Sequence, residues 1–260
     1  MDKDQILLHY RKEEQPFIER VIEWVDKVMK TNQPVRTDFL DPRQAQIIQN
    51  IVNGYMELTV FFDGGYSEAE RVRAMIAPDY YVFQPEEMGL VFFRVKGETK
   101  FDSIHHQDYM GSLLNIGIKR EKFGDILLSE RDRQFIVAEE VADYVQMEFK
   151  QIAHTKVNVE KIDRKEIIAP LVQYQIFAVY VSSLRADNVV SQVFHLSRSK
   201  VTEMIKKNQL KVNWKIVNEA DYPLHNGDMV SFRGYGRFKF LDEEGSTKKG
   251  RFRIKIGKLI

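Results

Sequence analysis

The sequence predicts an α+β protein built as three compact units in series, and three observations carry that expectation. From Leu90 to Ile162 the apolar spacing switches in the order strand, helix, strand, strand, helix, strand. Before that stretch, helix-period and strand-period segments alternate. After it comes a short segment with a surplus of positive charge. With 260 residues, 43% hydrophobic and 12% aromatic, the chain holds apolar material for two or three small cores.

The first unit, residues 1–86, reads as α/β. Phe17, Ile18, Val21, Ile22, Val25, Val28 and Met29 recur at three and four, so Gln15 to Lys30 is a core-facing helix, with Pro16 near its start where a missing N–H is harmless. Asp41 and Pro42 open a second helix as N-cap and first-turn proline. Tyr55 to Phe62 is rich in aromatic and β-branched residues and reads as a strand, and Gly64-Gly65 turns the chain. Ser67 followed by Glu70 has the form of a capping box, which predicts a third helix over Ser67 to Ile76, ending before Pro78.

The second unit, residues 87–165, comprises strand Leu90–Lys96, helix His105–Ile116, strands Asp125–Leu128 and Gln134–Val137, helix Ala138–Ile152 and strand Thr155–Ile162. That βαββαβ order is the split arrangement of ferredoxin-like domains, which include a common RNA-recognition fold. The aromatic stacking signature of that RNA-recognition fold is missing from Leu90–Lys96 and Arg133–Val137. Asp163 to Ala178, which includes Pro170, connects this unit to the next and is too apolar for a free linker.

Charge separates the third unit from the rest. Residues 181–260 hold 16 Lys and Arg against 8 Asp and Glu, while the other 180 residues hold 23 against 30. A net charge of +1 therefore conceals a basic domain on an acidic body, and the asymmetry points to a polyanion as partner. Val189, Val190, Val193 and Phe194 form the apolar stripe of one short helix; Ser197 caps the next, on which Val201, Met204 and Ile205 face inward. Arg198, Lys200, Lys206, Lys207 and Lys211 fall within fourteen residues, and Ser197 to Lys200 combine cations with a helix N-terminus, a pairing suited to phosphate. Asn208 tolerates the left-handed conformation of a helix end. Lys211–Asn213 is a short strand, Asn226-Gly227-Asp228 turns into Met229–Arg233, and Arg233, Arg237 and Lys239 continue the positive surface beside Tyr235 and Phe238. From Lys248 to Lys258, Arg251, Arg253 and Lys255 alternate with Phe252, Ile254 and Ile256, as in a half-exposed strand.

This run resembles the S-four domain, the small RNA-binding module also called the alpha-L motif. The matching positions are Leu184-Arg185 with Asp187, Ser197-Arg198-Ser199-Lys200, Ile205, Lys211-Val212-Asn213, Leu224, Gly227-Asp228 and Gly234. Asn208 and Ala186 depart from the usual glycine and leucine. Asp38 to Pro42, Asp63-Gly64-Gly65-Tyr66 with Ala69-Glu70-Arg71, and Gly117 to Ile126 are similar to the YlmH family of bacterial RNA-binding proteins, which place an S-four domain last. That resemblance runs nearly end to end. It implies rRNA and tRNA as ligands, the large ribosomal subunit as partner, and a part in ribosome quality control on subunits blocked by peptidyl-tRNA. It also implies a gene neighbourhood linked to cell division.

On this reading Arg185, Ser197, Arg198, Ser199, Lys200, Lys206, Lys207, Lys211, Asn213, Arg233 and Arg237 form the RNA-binding set, with Asn213 and Ser199 orienting the ligand and Asp187 structural. Lys119, Arg120 and Lys122 offer a secondary contact beside Gly124-Asp125. No catalytic residue, cofactor or metal is expected. His105-His106 lacks a third ligand at a diagnostic spacing, and no GxxxxGK[ST] pattern occurs. The alternative is an RNA-modifying enzyme with an appended RNA-binding domain. Against it stand the absent glycine-rich loop of a methyltransferase, the absent nucleotide motifs of a tyrosyl-tRNA synthetase, and a domain order opposite to that of pseudouridine synthases. The N-terminus lacks a signal-like apolar core and no run approaches the ~20 apolar residues of a membrane span, so a cytoplasmic protein is expected; the absence of cysteine fits a reducing compartment without requiring one, and a monomer is expected.

Overall fold

Residues 3–8, 10–97, 104–129, 132–168, 174–246 and 250–259 are described by the computed structural model. They fall into two units, Met1–Pro170 and Leu171–Ile260. Pro170 and Lys248 lie outside the described residues.

In the first unit, helices α1 (Lys3–Leu8), α2 (Gln15–Thr31) and α3 (Pro42–Val52) cover a three-stranded antiparallel sheet of β1 (Val35–Arg36), β2 (Leu58–Asp63) and β3 (Arg73–Pro78), in the order β1-β3-β2. The α2 stripe is buried through Ile18, Val21, Ile22, Val25 and Val28, while Met29 at its margin is exposed. The Asp41 carboxylate accepts from the Gln44 N–H (2.9 Å) and the Gln44 side chain accepts from the Asp41 N–H (2.9 Å), so α3 begins where its cap predicts. The strand expected from Tyr55 starts only at Leu58, because Tyr55 N–H bonds back to Val52 and closes the helix end.

The helix expected over Ser67 to Ile76 does not form. Arg73–Pro78 is instead the central strand β3, with all six residues buried. Beyond Arg73 the run is apolar and buried all round, so it carries no period that separates helix from strand, and here β1 and β2 pair with it on its two edges.

The same unit holds a five-stranded sheet of β4 (Leu90–Gly97), β5 (Phe123–Leu128), β6 (Arg133–Ala138), β7 (Gln151–Ile152) and β8 (Thr155–Ile162), with helices α4 (His106–Asn115) and α5 (Glu139–Glu148). Its order, β5-β6-β4-β8-β7 with every neighbouring pair antiparallel, is that of the split βαββαβ arrangement. Helix α5 is shorter than its period implies, since Gln151 and Ile152 pair with Lys156 and Thr155 in a hairpin and the buried Phe149 ends the helix. Beyond β8 the chain packs back: Gln134 donates through its amide to Glu166 O (2.9 Å) and accepts from Ile168 N–H (2.9 Å).

The second unit is one six-stranded antiparallel sheet with two helices on one face. Its strands are β9 (Tyr174–Val181), β10 (Leu210–Val212), β11 (Lys215–Val217), β12 (Met229–Phe232), β13 (Gly236–Ser246) and β14 (Phe252–Leu259), in the order β11-β10-β12-β13-β14-β9. Helices α6 (Ala186–Val193) and α7 (Arg198–Lys206) bury Val189, Val190, Val193, Val201 and Ile205 against Val212, Val230, Phe232, Phe238, Ile254 and Ile256. β9 lies within the segment read as a connection, and its register with β14 joins residues more than seventy positions apart. No helix among the described residues is long and apolar enough to cross a membrane.

Candidate nucleic-acid interface

The entry to α6 is built by a backbone ladder. Ala186 and Asp187 donate their N–H groups to Tyr222 O (2.8 Å) and Ala220 O (2.9 Å), and Leu224 N–H donates to Leu184 O (2.9 Å). This fixes Asp187 at the head of the helix, where its side chain is 5% exposed. Its carboxylate accepts from Arg198 Nη2 (2.6 Å) and Arg185 Nε (3.2 Å), whose side chains are 53% and 46% exposed. Burial acts to raise the Asp187 carboxyl, but the hydrogen bonds from Arg198 and Arg185 outweigh it and hold the group below its ordinary range. A buried anion thus aims two half-exposed guanidiniums, one from the N-cap of α6 and one from the first turn of α7, to one place, as the structural reading of Asp187 anticipated.

Ser197 caps α7 by accepting from Lys200 N–H (3.4 Å), and its hydroxyl lies 3.2 Å from that of Ser199. Lys200 Nζ sits 5.4 Å over the Tyr235 ring, which packs on Phe194 and Phe232. Phe238 is fully buried, so only Tyr235 of that pair is partly open to solvent. At the other end of α7, Lys206 and Lys207 are exposed, and Lys207 pairs with Glu203 one turn earlier (2.6 Å). Arg233 is exposed, and its backbone N–H donates to Gln209 O (3.0 Å) just past the end of α7. Arg185, Ser197, Arg198, Ser199, Lys200, Lys206 and Lys207 therefore belong to the helix-bearing side of the unit, with Arg233 exposed in the turn after β12.

The remaining expected contacts are placed differently. Lys211, Ser231 and Arg237 are directly opposite one another across β10, β12 and β13. Their neighbours Val212, Val230 and Phe238 enter the core beneath the helices, so side-chain alternation puts Lys211 and Arg237 on the other face of the sheet. Asn213 directs its amide inward: Nδ2 donates to Asp228 Oδ1 (2.8 Å) and Oδ1 accepts from Met229 N–H (2.9 Å). It closes a turn rather than presenting a free amide.

The secondary set is also committed within the fold. Arg120 Nη1 donates to Phe123 O (2.7 Å) with its guanidinium 4.3 Å over the Phe123 ring, and Lys122 Nζ meets Asp38 Oδ1 at 2.5 Å; Lys119 alone of the three is exposed. Burial, then the neighbouring Arg71, pushes the Arg120 guanidinium down to about 10. Asp125, next in the same run, accepts from Tyr66 Oη (2.8 Å), Glu70 N–H (2.7 Å) and Arg71 N–H (3.2 Å). Burial raises its carboxyl despite those bonds, and burial followed by Asp125 raises the Tyr66 phenol. A Cβ on Gly124 would stand 2.7 Å from the Phe39 ring. The Gly64–Arg71 and Gly117–Asp125 segments are thus one polar joint between the two sheets of the first unit. Sequence reasoning missed this joint because its partners are more than fifty residues apart; the glycine before an aspartate was its only local sign. Among the described residues no group of three His, Asp or Glu is arranged to hold a metal ion.

A small sheet-and-two-helix domain with clamped arginines, following a ferredoxin-like unit, defines a modular RNA-binding protein. The comparisons agree: residues 184–230 match the S4 domain, residues 84–166 match a domain of YlmH to which RNA binding is ascribed, and residues 13–81 match the YlmH N-terminal domain. The chain is 40% identical over 249 residues to the ribosome-associated protein quality control protein P2 of Bacillus subtilis (strain 168), covering 96% of each. It belongs to the YlmH family. A solved structure titled cell division protein ylmH from Streptococcus pneumoniae aligns with a TM-score of 0.55 at 27% identity, over 62% of this chain and 98% of that one. An uncharacterized RNA pseudouridine synthase of Aquifex aeolicus (strain VF5) is 33% identical over 51 residues, 20% of this chain and 21% of that protein.

Proposed function

We propose that this protein is a ribosome-associated quality-control factor that grips structured RNA with the helix-bearing side of its S4 domain and catalyses no reaction itself. The observation that carries the RNA contact is the Asp187 carboxylate orienting Arg185 and Arg198 outward, with Lys200 one turn from the Ser197 cap. Guanidiniums held in advance lose little side-chain freedom on meeting a phosphate, and the fork geometry suits its oxygens. The ribosomal setting is supported by the end-to-end likeness to the Bacillus subtilis quality-control protein. On this reading the ligands are rRNA and tRNA on a large subunit blocked by peptidyl-tRNA, met by a cytoplasmic monomer with domains at 1–86, 87–165 and 181–260. The non-catalytic reading is supported by the matched domains being RNA-binding, while the likeness to a pseudouridine synthase is confined to a fifth of that enzyme.

Recognition would follow shape and phosphate more than base sequence. The test is a mobility-shift titration of an RNA hairpin at two salt concentrations with the Arg198→Glu, Lys200→Glu double variant. Expected is a loss of about a hundredfold at low salt and a shallower salt dependence. Unchanged affinity in a folded variant removes the helix side as the RNA surface.

A further inference from the structure

The strand register leaves the S4 unit with a second surface. Lys211, Ser231 and Arg237 form one row across the face opposite α6 and α7; Met229, Lys239, Gly257 and Ile176 form the next. Farther along, Arg253 pairs with Tyr180. Two large apolar side chains of β9 lie open here, Ile176 at 57% and Tyr180 at 49% exposure. Arg253 meets Glu244 at 3.1 Å, but no ion pair joins Lys211 or Lys239 to a carboxylate among the described residues. An open sheet face that mixes cations with aromatic rings differs from the phosphate clamp on the helix side.

Trp214 is the most informative residue of this face. It follows Asn213 in the two-residue turn between β10 and β11, and both are left-handed, at φ 49° and φ 62°. Such a turn favours glycine in its second place, and a bulky residue there is strained. The indole nonetheless occupies it, with the Arg237 guanidinium 5.5 Å from the ring centroid. A ring held at a hairpin tip against strain, capped by a cation beside Lys211, is the arrangement on which an unpaired base stacks while its phosphates meet the cations.

We propose that this open sheet face is a separate nucleic-acid surface that takes an unpaired RNA segment, with Trp214 stacking a base and Lys211, Arg237 and Lys239 meeting its phosphates. The inference rests on the reading of this unit as RNA-binding, yet it assigns a different ligand to a different face. Single strands are met by stacking platforms in basic grooves, whereas folded helices present phosphate and ribose.

The chain has two tryptophans, so a Trp24→Phe background leaves Trp214 as the sole indole reporter. In the full-length protein, a 12-nucleotide oligouridine is expected to quench Trp214 fluorescence. Trp214→Gly and the Lys211→Glu, Lys239→Glu pair should each weaken oligouridine binding about tenfold or more, while hairpin affinity stays within twofold. Trp214→Gly should leave the melting temperature unchanged or raised, which separates loss of the ring from loss of the fold. Arg198→Glu with Lys200→Glu should do the reverse, weakening the hairpin and sparing oligouridine. Absent quenching, equal losses on both RNAs from either pair, or quenching by an oligoglutamate peptide but not by oligouridine would overturn the assignment. Hairpin binding insensitive to Arg198 and Lys200 would instead remove the function proposed for the helix side, with the oligouridine results still deciding the sheet face.

Discussion

Asp187 makes a prediction whose sign separates geometry from charge. Removing an acid from a basic domain should strengthen its hold on a polyanion if charge alone counted. Because Asp187 positions Arg185 and Arg198, Asp187→Ala is expected to weaken hairpin binding about tenfold, measured by titration at fixed salt. Its pH dependence follows from the same contacts. The folded carboxyl lies below its unfolded value, so its stabilisation is present above the ordinary Asp pKa of 3.8 and is lost as pH falls through the depressed folded value. Thermal melts from neutral to acid pH should therefore show a loss below about pH 4 that Asp187→Asn reduces. Asp125 is the counterpart in the first unit. Asp125→Ala strands the Tyr66 hydroxyl and the Glu70 and Arg71 N–H groups, at a cost of about 3 kcal/mol in denaturant unfolding, with hairpin affinity unchanged.

At the scale of elements, α7 shows how far local rules reach. Its Ser197 cap, its inward Val201 and Ile205, and its left-handed stop at Asn208 (φ 58°) all follow from short-range chemistry. Ser197→Ala is expected to cost about 1 kcal/mol and to loosen the turn that carries Arg198 and Lys200, visible as faster amide exchange there. β3 shows where those rules stop. Ser67 and Glu70 have the spacing of a cap, yet the Glu70 N–H is claimed by Asp125 from a strand 55 residues away. β9 was missed for a related reason: its exposed Ile176, Ala178 and Tyr180 blur the alternation that marks a half-buried strand, and only pairing with β14 makes it one.

For the whole molecule, charge divides as the units do. Residues 171–260 carry a surplus of eight positive charges and residues 1–170 an excess of seven negative ones. The acidic unit produced alone is expected to fold and to lose most co-sedimentation with ribosomes, and full retention on subunits would count against the S4 domain as the principal anchor. A cut should fall near residue 170, since one after Val179 would sever β9. From the sequence alone came the βαββαβ topology, the two helices of the basic domain and the surplus of positive charge that sets that domain apart. Those follow from periodicity, capping and composition, which act over a few neighbouring positions. Only the tertiary structure decided which cations share a face, that Arg120 and Lys122 are taken up inside the fold, and that Trp214 and Arg237 look away from Arg198. Strand pairing sets the two sides of a sheet between residues far apart in the chain, and no local pattern carries that information.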